Sequence, residues 1–183
     1  MKPVNEIYSE FLLGKVSFHT KEQTDMFRDA LMSYIDSKYV TAANLYAILY
    51  ERIFTTRLVR ETSQPFNFVP SKENVTEQLN NLMNRENEVV NVKKLFFRAI
   101  TQELVETGVL SAKEKTDFDN FYTDIRNPVI HVLTFRLFEP MLGRVPNHIF
   151  DLDVNYPAVY KKASEILFDK IYYLMAIKIL RKL

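Results

Sequence analysis

Apolar residues recur along this chain at helical spacing, with few turn-forming residues between the runs. Met26, Phe27, Ala30, Leu31 and Tyr34 repeat at steps of three and four, which places them on one face of a helix. Thr20, with Gln23 three positions later, predicts a capping box in front of that stripe. Tyr39, Ala43, Tyr46, Ala47, Tyr50, Ile53, Phe54 and Leu58 predict a second, longer helix. Its alanines would let a neighbouring helix approach closely, and Glu51 sits beside the stripe. Pro65 and Pro70 bracket a loop, and Ser71 can cap the segment after it. Val89, Val92, Phe96, Ile100 and Leu104 form a third stripe, closed by Gly108. Ser111-Ala112-Lys113-Glu114 predicts a capping box opening a helix that buries Phe118, Phe121, Tyr122, Ile125 and Val129. Pro140, Gly143 and Pro146 predict a second loop, and Pro157 the start of a last helix ending near Leu183.

Only 3 glycines occur in 183 residues, far too few for a sheet built from hairpins. The expected fold is therefore all-α, an antiparallel bundle of about five or six helices. Length suits one core, so residues 1–183 read as a single helical domain. With 47% hydrophobic and 26% charged residues, the chain has enough apolar surface to fold. The formal charge of +1 gives no general attraction for nucleic acid, so any such contact must come from a local patch.

The absence of cysteine excludes disulfides, thiolate zinc sites and a cysteine nucleophile. His19, His131 and His148 are too scattered to suggest a metal site, and no cofactor is expected. Met1 to Glu10 is polar and of mixed charge, unlike a signal peptide. The longest apolar run, Ile171 to Ile177, is too short to cross a bilayer, so no membrane contact and a cytoplasmic location are expected. That run is apolar almost all round. It is expected either at the centre of the bundle or against another subunit.

One segment suggests chemistry: Arg126-Asn127-Pro128-Val129-Ile130-His131. Arginine offers a fork of donors suited to phosphate oxygens, and histidine exchanges protons near neutral pH. In a straight helix, five residues rotate by about 500°, leaving Arg126 and His131 roughly 140° apart. Two devices would let them share a ligand. One is a break at Asn127-Pro128, a good N-cap and N1 pair; the other is a second copy of the motif from a partner subunit. Both side chains are expected off the apolar stripe, at a cleft. The plain alternative is a structural bundle with a solvated Arg–His pair.

Other clusters carry less. Asp117, Asp119 and Asp124 read as helix N-terminal and solvent-face charges. Lys161, Lys162, Lys170, Lys178, Arg181 and Lys182 read as a solvated basic face. His148 reads as a surface loop residue, and Asp151-Leu152-Asp153 lacks the glycine of a calcium loop.

Thr123 to His131 resembles the Arg-Asn-x-x-x-His signature of HEPN domains, helical bundles named for their occurrence in higher eukaryotes and prokaryotes. Gly108-Val109-Leu110-Ser111 resembles the turn before the family's motif helix. Ala42 to Arg52, ending in Tyr50-Glu51-Arg52, resembles its small-residue core helix with an acidic residue. The resemblance spans roughly residues 38 to 140, and an HEPN-like core would run over roughly 20–183. The chain departs from the pattern at Val132, where many members have glycine. The resemblance implies a metal-independent endoribonuclease that leaves a 2′,3′-cyclic phosphate. It would place Arg126 on the scissile phosphate and His131 in proton transfer, with Asn127 orienting them. It further implies RNA as substrate, a homodimer whose two motifs share a cleft, and a toxin or phage-defence role with an antitoxin or other protein partner. The alternative is a non-catalytic helical module that binds a partner protein or nucleotide.

Overall fold

A computed structural model describes residues 18–62 and 92–176. Helix α1 spans Lys21–Ile35, α2 Tyr39–Thr62, α3 Val92–Glu106 and α4 Ala112–Phe121. A five-residue π-helical turn, Tyr122–Arg126, leads into the short α5, Asn127–Ile130. Helix α6 is Thr134–Leu142 and α7 is Ile149–Ala176. The fold is all-α, with no strand among the described residues. The Pro65–Pro70 loop, the Ser71 cap, Val89, Ile177, Lys178, Arg181 and Lys182 lie outside the described residues. So do the first ten residues.

The chain divides into two compact units, Met1–Ile53 with Asp124–Leu183, and Phe54–Thr123. In the first unit the predicted stripes are the core: Phe27, Ala30 and Leu31 of α1 and Ala43, Tyr46, Ala47, Tyr50 and Ile53 of α2 are buried. Helix α7 adds Val159, Tyr160, Ala163, Leu167, Phe168, Ile171 and Leu174 at the same steps of three and four. Phe27 sits among aromatic rings, with centroids of Phe18, Phe168 and Tyr46 at 5.2, 5.8 and 6.0 Å. Each such pair contributes about 1 kcal/mol beyond the area it buries. The Tyr34 hydroxyl donates to Glu165 at 2.8 Å, and burial followed by that carboxylate pushes its pKa up. The apolar run in α7 is divided: Ile171 and Leu174 are buried, whereas Tyr173 is exposed.

The second unit is built on Phe54, Phe97, Phe118 and Tyr122, all buried. Phe54 meets Phe97 and Phe118 edge-on at 5.1 and 5.0 Å, and Phe97 stacks on Tyr122 at 4.1 Å. Asp119, expected on the solvent face, is instead buried beside this cluster. Its carboxylate accepts from the Thr101 hydroxyl at 2.7 Å and from the Lys115 ammonium at 2.6 Å, which compensates its desolvation. Asp117 and Asp124 are exposed, as expected.

Several boundaries differ from those the sequence predicts. Ser111 and Glu114 do form the reciprocal capping box expected for α4. At α1 only half of the box forms. Thr20 accepts from the Gln23 backbone at 3.2 Å, while the Gln23 side chain accepts from the His19 backbone and donates to the Arg52 carbonyl of α2. Helix α6 runs through Pro140 and stops at Gly143, whose φ of 69° supplies the left-handed closing residue. Helix α7 begins at Ile149, eight residues before the predicted Pro157, because Asp151 organises its first turn. The Asp151 carboxylate takes a two-pronged bond from Arg144 at 2.6 and 3.0 Å and one from the Asn147 backbone at 3.1 Å.

Those donors hold the Asp151 carboxyl down to about 2 from its usual 3.8, the Arg144 bonds being the larger cause. Its stabilising contribution is therefore complete above the usual carboxylate range and lost as pH falls through about 2. A carbon-detected NMR titration should give a midpoint near that value, and Arg144→Ala should return it towards the usual 3.8. A midpoint unchanged by Arg144→Ala would mean that the pair does not set it.

Candidate functional site

The motif lies in the first unit, at the end of the π-helical turn. Proline at 128 lacks an amide proton and its ring would crowd the carbonyl four residues back, Asp124. The expected remedy was a break at Asn127-Pro128. The observed one is the widened turn Tyr122–Arg126, after which the chain stays helical through Ile130. From Arg126 onward the rotation is thus that of an ordinary helix, and the offset of roughly 140° between Arg126 and His131 is retained. One side chain turns in and the other out: Arg126 is 7% exposed, and His131 is exposed.

Arg126 is accordingly not at an open cleft. Its Nη2 pairs with the Glu51 carboxylate, its Nε donates to the Ala47 carbonyl at 3.3 Å and its Nη1 donates to Asn127 Oδ1 at 3.1 Å. Ala47, whose carbonyl takes the Nε bond, is fully buried on the alanine-rich face of α2. Glu51 is half-buried, with 30% of its side chain exposed. The structure thus joins Arg126, Asn127 and Glu51 into one cluster and leaves His131 outside it. The role of Glu51 was readable only as an acidic residue one turn beyond Ala47 on an apolar helix.

Asn127 is 4% exposed, and its Nδ2 has no acceptor among the described residues. A buried amide donor left unmet costs about 1–3 kcal/mol. His131 closes α5, its backbone N–H donating to Asn127 O at 3.0 Å. Beyond it, Val132 N–H reaches Val129 O at 3.1 Å and Leu133 N–H reaches Pro128 O at 2.8 Å. That pair of bonds is a Schellman closure, with Val132 in the left-handed position at φ 52°. A β-branched residue there is strained, since Cβ crowds the carbonyl.

Glycine at this position would relieve the strain at some cost in unfolded-chain entropy. Val132→Gly should therefore stabilise the fold by up to about 1 kcal/mol in urea unfolding. A loss of stability would show that the valine side chain makes compensating contacts. His148 is exposed as predicted, its ring edge-on to Phe150 at 5.8 Å. No group of three or more His, Cys, Asp or Glu residues among those described is placed to hold a metal ion. No helix among the described residues is long and apolar enough to cross a membrane. Comparison with protein-family models, with curated proteins and with solved structures gives no match.

Proposed function

We propose that this chain is a metal-independent endoribonuclease of the HEPN kind, with His131 as the proton-transfer residue and RNA as the substrate. The observation that carries the reading is the presentation of His131. It is exposed on a strained turn, one short helix away from the pinned pair Arg126 and Asn127. Three departures from ordinary helix rules fall between residues 122 and 132: a π-helical turn, a buried amide with no acceptor among the described residues and a left-handed valine. Such departures cost free energy and cluster where function requires them. The left-handed residue also falls at the position where the resembling family places glycine.

RNA supplies its own nucleophile, the 2′-hydroxyl. Cleavage then needs one group to take that proton, another to protonate the leaving 5′-oxygen, and positive charge near the phosphate. His131 can fill either proton role from its exposed position. Arg126 reaches a phosphate only if Glu51 swings towards solvent; with Glu51 in place, the guanidinium acts by fixing Asn127. A homodimer would supply a second His131 for the complementary proton step. The wider setting we propose is cytoplasmic, as a toxin or phage-defence effector held by an antitoxin.

The Arg126–Glu51 pair favours a second reading. A carboxylate on the guanidinium occupies the place of a phosphate, as expected of a non-catalytic module that binds a partner protein or nucleotide. Mixed RNAs incubated with the protein in EDTA separate the two. Cleavage by wild type and not by folded His131→Ala supports the ribonuclease. No cleavage by wild type leaves the module.

A further inference from the structure

We propose that the corner between α5 and α6 is a switch with two frames. In the observed frame α6 starts at Thr134, with Leu133 as its N-cap. In the second frame α6 starts at Phe135 and Thr134 becomes the cap. His131 lies at the pivot, so the frame sets how its exposed side chain is carried. Nothing in the switch depends on the ribonuclease chemistry.

The observed start of α6 differs from the starts of α1 and α4. Thr20 and Ser111 stand on extended backbone, at ψ 157° and 160°, and each hydroxyl accepts from an amide one turn on. Leu133 has no side-chain acceptor, and its ψ of 65° falls short of the extended region. The Leu137 amide reaches the Leu133 carbonyl only at 3.3 Å, beyond the usual range. The next residue, Thr134, is of the type that caps helices, and it stands to Leu137 as Thr20 stands to Gln23.

The apolar pattern fits the Thr134 frame as well. There Leu133 would precede the cap and Phe138 would be the fourth helical residue. Apolar side chains at those two positions form the staple that fixes a helix entry. Phe138 is fully buried and Leu133 half-buried. In the observed frame the staple positions fall on Val132 and Leu137, and Val132 is 58% exposed.

Strain pushes in the same direction. Val132 is left-handed at φ 52°, held by its own N–H on Val129 O at 3.1 Å and by Leu133 N–H on Pro128 O at 2.8 Å. The second frame gives up those bonds, and the one from Arg136 N–H to Leu133 O at 2.9 Å, at a corner flanked by exposed residues. In return Val132 becomes extended, Thr134 Oγ1 takes the Leu137 amide, and the staple closes. Backbone bonds at a wet corner contribute modestly, and so do a cap and the relief of one β-branched residue. Terms of equal order on the two sides leave a minor frame of about 1–10%. The surroundings permit the exchange. Asn127, Pro128 and Val129 of α5 and Leu137, Phe138 and Met141 of α6 are buried anchors, so the change is confined to the corner between them.

Nuclear magnetic resonance on the full chain tests the switch. Relaxation dispersion and saturation transfer should report one minor state at the amides of residues 131–135, with Val132 carbon shifts of extended backbone. Faster exchange would show as Val132 shifts averaged between left-handed and extended values. Val132→Gly should lower the minor population by about fivefold, because glycine removes the strain of the observed frame. Thr134→Val should lower it by about as much, because it deletes the cap of the second frame and no cap of the first. Val132→Pro forbids the left-handed conformation, so its shifts at residues 134–138 should match those of the minor state. Should that variant fail to fold, the Thr134→Val comparison decides alone. Val132 shifts that are wholly left-handed without exchange would overturn the second frame. So would a minor population indifferent to Thr134→Val, or folded Val132→Pro shifts unlike the minor state's. RNA cleavage, present or absent, changes none of these outcomes.

Discussion

Arg126→Ala should lower the free energy of unfolding by about 3 kcal/mol, whereas His131→Ala should change it by no more than about 0.5 kcal/mol. The contrast comes from where the two side chains lie, not from their shared motif. Removing the guanidinium leaves Asn127 with neither its Oδ1 nor its Nδ2 met in a buried position, and leaves Glu51 without its cation. Breaking a fully buried ion pair costs about 3–5 kcal/mol; Glu51 is partly exposed, so its share is smaller. The lost amide bond and the vacated space supply the rest. Arg126→Ala with Glu51→Ala should then cost less than the sum of the two single changes, because the second removes the stranded carboxylate. Urea unfolding followed by circular dichroism measures all three. An Arg126→Ala protein as stable as wild type would show that the cluster contributes nothing, and would return Arg126 to the role of a free surface cation. The corresponding expectation from sequence, that both side chains lie off the core at a cleft, is replaced by this asymmetry.

The stripes of α1 and α2 are legible in the sequence because burial repeats at the helical period, and local hydrogen bonds such as Ser111 to Glu114 lie within one turn. Prolines mislead. Pro140 and Pro157 each read as a boundary, yet each lies inside a helix, whereas Pro128 does stand in the first turn of α5. A proline removes one donor and crowds one carbonyl, and a helix survives both if the crowded carbonyl is satisfied elsewhere. At Pro128 the turn widens. At Pro140 and Pro157 the carbonyls left without a helical donor belong to Arg136 and Asp153, both at exposed positions where water can bond them.

The candidate segment is legible as a string, but the directions of its side chains are not. Arg126 meets Ala47 across 79 positions, and nothing in a local window identifies which carbonyl or carboxylate will take an arginine. Asp119 misleads for the same reason, since its partner Thr101 is 18 positions away; only Lys115, one turn before it, is in view. The rotation of roughly 140° between Arg126 and His131 is present in the sequence, where it reads as an obstacle to a shared ligand. It is the feature that buries one residue and exposes the other.

Under the proposed function, RNA cleavage should survive EDTA and leave a 2′,3′-cyclic phosphate, because attack by the 2′-hydroxyl needs proton transfer and charge neutralisation but no metal ion. DNA, lacking that hydroxyl, should remain intact under the same conditions. His131→Ala should reduce the rate by about a hundredfold or more, the usual contribution of a positioned proton-transfer group. Because His131 is exposed, a folded variant is expected, so lost activity cannot be mistaken for lost structure. Arg126 demands different handling, since its replacement perturbs the fold and the chemistry together. Glu51→Gln is the informative change there. It keeps an acceptor for the guanidinium but removes the charge that competes with phosphate, so RNA affinity should rise if Arg126 contacts the scissile group. Unchanged affinity with intact cleavage would confine Arg126 to holding Asn127 in place. Equal cleavage by wild type and folded His131→Ala would remove the histidine from the mechanism altogether, and with it the ribonuclease reading of this motif.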